Sequence, residues 1–410
     1  MNREPVAVAT AIVRNSIALM FVGLLAKGMG LVLAVLIARF LGPTAMGLFA
    51  VLFSIALLVE YVAPLGLQDV LIRDVAARPA ERVRLWKQAA KIALASSLLP
   101  AAAFLVAAWL FREDGSIRNS LLALAAGIPC ATQALIAQSV LQGLEKMLAI
   151  TWTTFLTRVA SLVALVLMLL QGMGVESAFI SRVLFQASTA AIFAWLILRD
   201  APAQAQAAAD AGRPELALAR TLPFAINRVL NESTTRAPLL LLPILFTLAD
   251  IGIFDAADRI RLTLGIMVAV ATTGIMPALS RSFAAQSEDR HALVSFGVKY
   301  VCVSLSLAAL AISIFADVIV RLLYGPQFAA SALLLQVLIW TQVLVATDFV
   351  MKQAMIANGR EYAVVRRALA GLACLAALVL GFGRAFGLVG AAAGVLASAA
   401  FTLWLDARYL

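Results

Sequence analysis

The chain has 410 residues, of which 63% are hydrophobic and 13% charged, with a formal net charge of +10 and a mean hydropathy of +0.99. Soluble domains carry about 45–50% apolar and about 25% charged residues, so this composition excludes an ordinary soluble domain and places most of the chain in a bilayer. In that setting the positive charge reads as basic cytoplasmic loops rather than as a nucleic-acid footprint.

Apolar runs of about 20 residues predict membrane spans. About twelve occur, at roughly 16–38, 46–67, 88–110, 119–141, 149–171, 177–198, 220–246, 252–275, 296–318, 329–351, 363–383 and 387–406. The seventh and eighth are the least apolar, because they carry charges. The segment before residue 15 is mixed and the run after it is of full span length, so the first span reads as an uncleaved anchor, not a signal peptide. With the N-terminus inside, the inner segments hold about twenty basic residues. The outer ones hold only Arg39, Arg112, Arg118, Arg321 and Arg384. That asymmetry predicts a multi-pass membrane protein with both termini cytoplasmic. Trp86, Trp109, Trp152, Trp195 and Trp404 fall near predicted span ends, as interfacial anchors should; Trp340 does not.

An Ala-rich polar stretch near the middle reads as a linker. It divides the chain into an N-terminal lobe (1–199, spans one to six), a cytoplasmic linker (200–219) and a C-terminal lobe (220–410, spans seven to twelve). The halves look related. Gly47-Leu48-Phe49-Ala50 opens span two, and Gly252-Ile253-Phe254 with Ala256 opens span eight, 205 residues later. Gln142-Gly143-Leu144-Glu145-Lys146 follows span four, and Asn358-Gly359-Arg360-Glu361 follows span ten. An even number of spans per half makes the repeats parallel, a standard transporter design with the site between them. The fold class expected is all-α integral membrane, with about twelve helices in two six-helix lobes around a central cavity.

The spans carry polar residues that hydrocarbon would reject. In span seven Arg228, Glu232 and Arg236 are four apart and climb one face over roughly 12 Å, with Asn227, Asn231 and Thr235 near it. An intramembrane charge costs about 2.5–3.5 kcal/mol on insertion scales, so three in one span predict a polar interior rather than a lipid face. Span five carries Thr154, Thr157, Arg158 and Ser161 in one arc, and span one carries Ser16, Gly23, Lys27 and Gly30 on one face. Span eight opens with Asp255, Asp258, Arg259 and Arg261, and Asp255 and Arg259 are spaced to pair. Asp348 and Lys352 have the same spacing in span ten, and Glu60 lies in span two. Pro238 and Pro243 predict a bent or broken span seven.

Lys27, Arg158, Asn227, Arg228, Asn231 and Arg236 are therefore the candidate cavity residues. The cations suit an anionic head group. Glu60, Glu232, Asp255 and Arg259 are candidates for charge pairing or proton coupling. The bland reading of the same residues is ion pairing between helices and nothing more. Cys130, Cys302 and Cys374 lie far apart in apolar stretches and the only histidine, His291, lies in a polar loop, so no catalytic residue, metal set or cofactor is assigned.

Several stretches resemble the Wzx-type polysaccharide-unit (O-antigen-like) flippases of the multidrug/oligosaccharidyl-lipid/polysaccharide (MOP) exporter superfamily. They are Ala38-Arg39-Phe40-Leu41-Gly42-Pro43 with Gly47-Leu48-Phe49, Gly66-Leu67 with Ile72-Arg73, and Leu141-Gln142-Gly143-Leu144. In the second half they are Gly252-Ile253-Phe254-Asp255-Ala256-Ala257-Asp258-Arg259, Pro277-Ala278-Leu279-Ser280, Leu323-Tyr324-Gly325 and Gly387-Leu388-Val389-Gly390-Ala391-Ala392. The resemblance implies two lobes of six helices around a cavity that opens alternately to each side. It also implies flipping of undecaprenyl-diphosphate-linked oligosaccharide to the outer leaflet for polysaccharide biosynthesis, lipopolysaccharide included. The partners implied are the lipid-linked oligosaccharide, membrane lipids, and a polysaccharide polymerase and glycosyltransferases of the same pathway. The rival readings are a drug/cation antiporter, which favours acidic cavities, and a peptidoglycan-precursor flippase, which usually has extra spans. A membrane glycosyltransferase or polymerase needs a large catalytic loop, and none is present.

Overall fold

Backbone polar groups in hydrocarbon must be satisfied within the segment, and the apolar runs are accordingly helical. A computed structural model describes residues 4–199, 218–273, 290–357 and 361–409. No strand occurs among them. The linker residues 200–217, the motif residues 277–280 and 358–360, and the side chains of Lys27, Asn227, Asn231 and Lys352 lie outside the described part.

α1 (Glu4–Val62) carries the first two expected spans and breaks at Gly42 (φ 82°, ψ −175°), after which Pro43 starts the second piece. Glycine tolerates the left-handed φ, and proline loses nothing at a first helical turn, where its N–H would have no partner anyway. α2 (Leu67–Ala77) is a short helix that the span pattern missed. α3 (Arg82–Leu110), α4 (Gly115–Gly143), α5 (Met147–Leu170) and α6 (Glu176–Arg199) are spans three to six. α7 (Leu218–Leu241) and α8 (Leu248–Thr273) are the charged spans seven and eight. The expected break in span seven falls at its second proline: α7 runs past Pro238, ends at Leu241, and leaves Pro243 in a 3-10 turn, Leu242–Ile244.

α9 (Arg290–Ile314) is followed by α10 (Ala316–Tyr324), and the chain bends by 66° between Cys302–Ile314 and Ala316–Tyr324. Span ten is two helices, α11 (Ser331–Leu338) and α12 (Trp340–Ala357). Trp340 thus marks an internal break, which is why it stood away from the predicted span ends. α13 (Glu361–Tyr409) carries the last two spans and breaks at Phe386 and Gly387 (φ 64°). Among the described residues seven helices are long and apolar enough to cross a membrane, or eight with the bent pair. Two of those seven, the helices broken at Gly42 and Gly387, hold two expected spans each.

The chain divides into two compact units, one of Met1–Met29 with Ile55–Val229 and one of Gly30–Ser54 with Leu230–Leu410. In the first, α4 packs on α3 and α6, and α2 lies against α3 and α4. Leu67, Leu71 and Val75 of α2 join Ile136, Val140 and Leu141 of α4 in its core. Gly143 permits this approach, since a Cβ there would stand 2.7 Å from the Ile72 carbonyl oxygen. In the second unit α12 packs on α9 and α13, and α11 on α8. Here the Arg39 guanidinium donates to the carbonyls of Leu323 (2.7 Å) and Leu322 at the end of α10. Gln327 returns a bond from Nε2 to the Ala38 carbonyl at 3.0 Å. The Arg39-to-Pro43 motif is therefore a helix-capping device: a cation closes helix carbonyls that have no intrahelical partner. α1 and α8 cross at Gly47 and Gly252, and neither position has room for a Cβ.

Candidate functional site

Two polar clusters hold most of the described charges singled out by the span pattern. The first lies in the first unit and centres on Glu60 of α1, which is 7% exposed. Arg182 Nη2 donates to its Oε2 at 2.6 Å, and Gln186 Nε2 donates to its Oε1 at 2.9 Å. Arg182 and Gln186 are one helical turn apart on α6, so one face of that helix reads both carboxylate oxygens. Between them in sequence, Phe185 offers its ring to Arg158 of α5, whose guanidinium carbon sits 4.4 Å from the ring centroid. A hydroxyl bond between Thr157 and Thr189 (2.9 Å) ties α5 to α6 one residue away.

Among the described residues no carboxylate lies within ion-pair distance of Arg158. Two guanidiniums thus stand beside one carboxylate, and that carboxylate bonds Arg182 and not Arg158. The sequence reading found Glu60 and Arg158 but missed Arg182 and Gln186. Their signal was present: an arginine four residues before a glutamine inside an otherwise apolar span.

Arg228, also in the first unit, is paired. Its Nη2 lies 3.1 and 3.4 Å from the two Asp69 oxygens, and its guanidinium carbon is 6.0 Å from the Tyr61 ring centroid. Asp69 sits in the first turn of α2. That helix was not expected, so the partner was not either.

The second cluster lies in the second unit. Arg236 donates to Glu232 at 2.9 Å and Arg259 to Asp255 at 2.6 Å, each across one helical turn. Arg261 donates to Asp258 at 2.7 Å. Phe49 and Phe53 stack at 5.1 Å. Arg259 faces both rings, at 4.9 and 5.4 Å, and Arg236 faces Phe53 at 5.9 Å. Asp255 and Asp258 are 1% and 3% exposed. Burying a charge at that depth costs several kcal/mol unless a partner neutralises it, and each carboxylate here has its own guanidinium. The structure thus brings Glu232, Arg236, Asp255 and Arg259 together around an aromatic pair, as neutral pairs.

Broken apolar helices with buried charge clusters inside their spans define a polytopic membrane protein built around polar interior surfaces. Residues 12–283 match the family described as polysaccharide biosynthesis protein, and the chain belongs to that family. No curated protein matches the sequence. Among solved structures, the chain is similar to an inward-facing multidrug resistance MATE family transporter of the MOP superfamily. The identity is 17%, 97% of each chain is covered, and the TM-score is 0.73. It is similar to the lipid II flippase MurJ in an inward closed conformation, with 13% identity, 97% of this chain and 87% of that one covered, and a TM-score of 0.71. A MOP-superfamily transporter from Pyrococcus furiosus matches with 17% identity, 97% and 95% coverage and a TM-score of 0.66. The family is thus that of the polysaccharide biosynthesis proteins, and the fold is the one these transporters share, as the sequence resemblance implied.

Proposed function

We propose that this protein is a flippase for undecaprenyl-diphosphate-linked oligosaccharide, carrying it from the cytoplasmic to the outer leaflet of the bacterial inner membrane for surface polysaccharide biosynthesis. The halves 1–199 and 220–410 would be the lobes that alternate between inward- and outward-open states. Both termini would be cytoplasmic, and a polymerase and glycosyltransferases would act before and after it. The protein would perform no chemistry itself. The physical problem is that a diphosphate sugar cannot enter hydrocarbon while a polyprenyl tail prefers to stay there.

The observation that carries this reading is Arg158. It is a cation held on an aromatic face, next to a carboxylate already taken by Arg182 and Gln186. Guanidinium forks suit phosphate oxygens, and an anion would balance the cluster. A drug/cation antiporter would need the opposite, a carboxylate in excess. Arg228 and Arg236, with Lys27, Asn227 and Asn231, remain proposed contacts for the diphosphate and the sugar. For Arg228 and Arg236 an anion would have to compete with Asp69 and Glu232.

Arg158 is also the cleanest residue to test, because its removal strands no ion-pair partner. In a deletion strain complemented with Arg158→Gln, surface polysaccharide should fall at least about tenfold, a loss of about 1.4 kcal/mol, at normal protein level. Full restoration would remove Arg158 from the substrate site. A peptidoglycan-precursor flippase of the same superfamily would meet the same phosphate chemistry. Deletion separates the two, since that role is essential for growth and this one is not.

A further inference from the structure

A buried charge without a partner is costly, and a cation outside the two clusters stands in that position. Arg82 opens α3, the third span, and is 9% exposed. Its Nε and Nη2 are buried and have no hydrogen-bond partner among the described residues. One turn further along the same face of the helix, the indole Nε1 of Trp86 is also buried without an acceptor. Guanidinium and indole nitrogens only donate. Three donors on one face therefore need acceptor oxygens, and the charge needs an anion.

The described carboxylates around α3 are engaged elsewhere. Asp74 pairs with Arg78 at 3.8 Å, and Glu81 pairs with Arg84 at 3.0 Å and Arg78 at 3.7 Å. On α2 Asp69 holds Arg228. On α6 Glu176 accepts from Ser116 and Gly174 at the opposite end of the span. α4 has no acidic residue, and Glu145 in the turn after it is exposed. The surroundings add positive charge: residues 73–91 hold six basic residues and two acidic ones. α3 also has no acid in its first turn and no side-chain cap. Arg82 and Arg84 thus sit at the positive end of the helix dipole, where anions are favoured and cations are not.

Depth and the adjoining surface select the anion. Tryptophan prefers the headgroup level of a bilayer, and Trp86 is half-buried there, packed on the core shared by α2, α3 and α4. The exposed face of α3 beside it changes character along its length. Lys87 and Lys91 come first, and Leu94 (45% exposed) and Leu98 (57% exposed) follow on the same face. Cations at headgroup depth followed by leucines in hydrocarbon match a molecule with an anionic head and an acyl tail. A free anion or a soluble acidic peptide would make no use of the leucines.

We propose that Arg82 and Trp86 bind the phosphate of an anionic membrane lipid at the start of span three, on the side proposed above as cytoplasmic, with Lys87 and Lys91 drawing in the head group. The guanidinium fork suits two phosphate oxygens, and the indole N–H supplies a further bond. Both side chains keep some exposed surface, so the phosphate approaches from the bilayer edge. The lipid is resident, and its site rests on the membrane reading and not on the cargo.

The test is lipid retention by the full chain purified in detergent, read by native mass spectrometry with added phosphatidylglycerol. The wild type should hold phosphatidylglycerol more firmly than phosphatidylcholine with the same tails. Arg82→Gln should weaken that binding at least about tenfold, and Trp86→Phe, which keeps a ring and removes the donor, about threefold. Arg73→Gln removes an exposed cation at the same end and should change nothing; equal weakening by it would reduce the site to general charge and overturn the proposal. A thermal melt separates the occupants. Without lipid, Arg82→Gln should melt no lower than the wild type, because it removes an unpaired charge. Phosphatidylglycerol should then raise the Tm of the wild type and not of the variant. Inorganic phosphate raising the wild type as far would assign the site to a free anion and overturn the lipid. A lipid-free Arg82→Gln that melts below the wild type would also overturn it: the chain itself, through an acid such as Asp210 or Glu215 of the linker, would then supply the partner. If Arg82→Gln fails to fold, the lipid preference of the wild type and its loss in Trp86→Phe decide the matter, and a wild type without that preference sinks the proposal.

Discussion

Gly47 and Gly252 lie against each other, and each meets the carbonyl four residues before the other. A Cβ on Gly47 would stand 1.7 Å from the Leu248 oxygen and 3.0 Å from the Gly252 nitrogen. A Cβ on Gly252 would stand 2.0 Å from the Pro43 oxygen and 2.9 Å from the Gly47 nitrogen. Both glycines, and Pro43 and Leu248, are 205 residues apart, as are the fully buried Phe49 and Phe254. A contact in which residue i meets j and j meets i is the mark of a local two-fold relation. The weak sequence repeat therefore has a physical cause: two helix starts whose backbones touch, as small residues permit in membranes.

Alanine at either glycine must push the two backbones apart, because the atom it meets is a carbonyl oxygen and not a movable side chain. Gly47→Ala and Gly252→Ala should each destabilise the detergent-solubilised protein by about 1–3 kcal/mol. A thermal melt reads this as a lower Tm. Gly381→Ala is the control, since a Cβ there meets nothing within 4 Å; it should be neutral or slightly stabilising. Equal melting points for all three variants would refute the close approach.

Glu60→Gln removes the carboxylate that Arg182 and Gln186 share and leaves two guanidiniums in a part-buried cluster. Breaking such a pair costs about 3–5 kcal/mol. The expected outcome is a sharp fall in folded protein by size-exclusion chromatography. Glu60→Gln with Arg182→Gln should recover part of it, since the second change removes the stranded charge. A double variant no better than the single one would show that Arg182 is not held by Glu60.

The apolar spans were legible because a bilayer demands about 20 apolar residues for each. Charge pairs within one helix were legible too: Asp255 with Arg259 follows from i,i+4 spacing alone. Partners on other elements were not. Periodicity shows which face of α7 carries Arg228 but not that Asp69 of α2 meets it. Nor does it show that Arg367, on the next span, meets Asp348. α2 and α10 escaped notice because they are too short to span, at 11 and 9 residues. Arg39 was counted as an outer-side cation, and its role as a cap depends on α10.

Arg39→Ala should lower Tm without reducing polysaccharide export. It removes two charge-assisted bonds to helix-end carbonyls, each worth about 1.5–3 kcal/mol when buried and less at this exposed position. Arg39→Lys keeps the charge but loses the fork that reaches both carbonyls, so it should fall between. A Tm unchanged in Arg39→Ala would mean that solvent replaces the cap at no cost.

Arg228 and Asp69 pose the sharpest choice between pairing and substrate contact. Their side chains are 35% and 31% exposed, and a pair that open contributes only about 0–1 kcal/mol. Losing it should barely affect folding, so a strong export defect in Arg228→Ala would point to an anion that needs the guanidinium. The double exchange, Arg228→Asp with Asp69→Arg, decides the matter. It restores the ion pair but moves the positive charge from α7 to α2. If Arg228 serves only to pair, export measured as surface polysaccharide should return to wild-type level. If Arg228 meets a diphosphate from α7, as proposed here, the exchanged protein should fold and remain defective. Full recovery would remove Arg228 from the substrate site and leave Arg158 as the candidate anion contact.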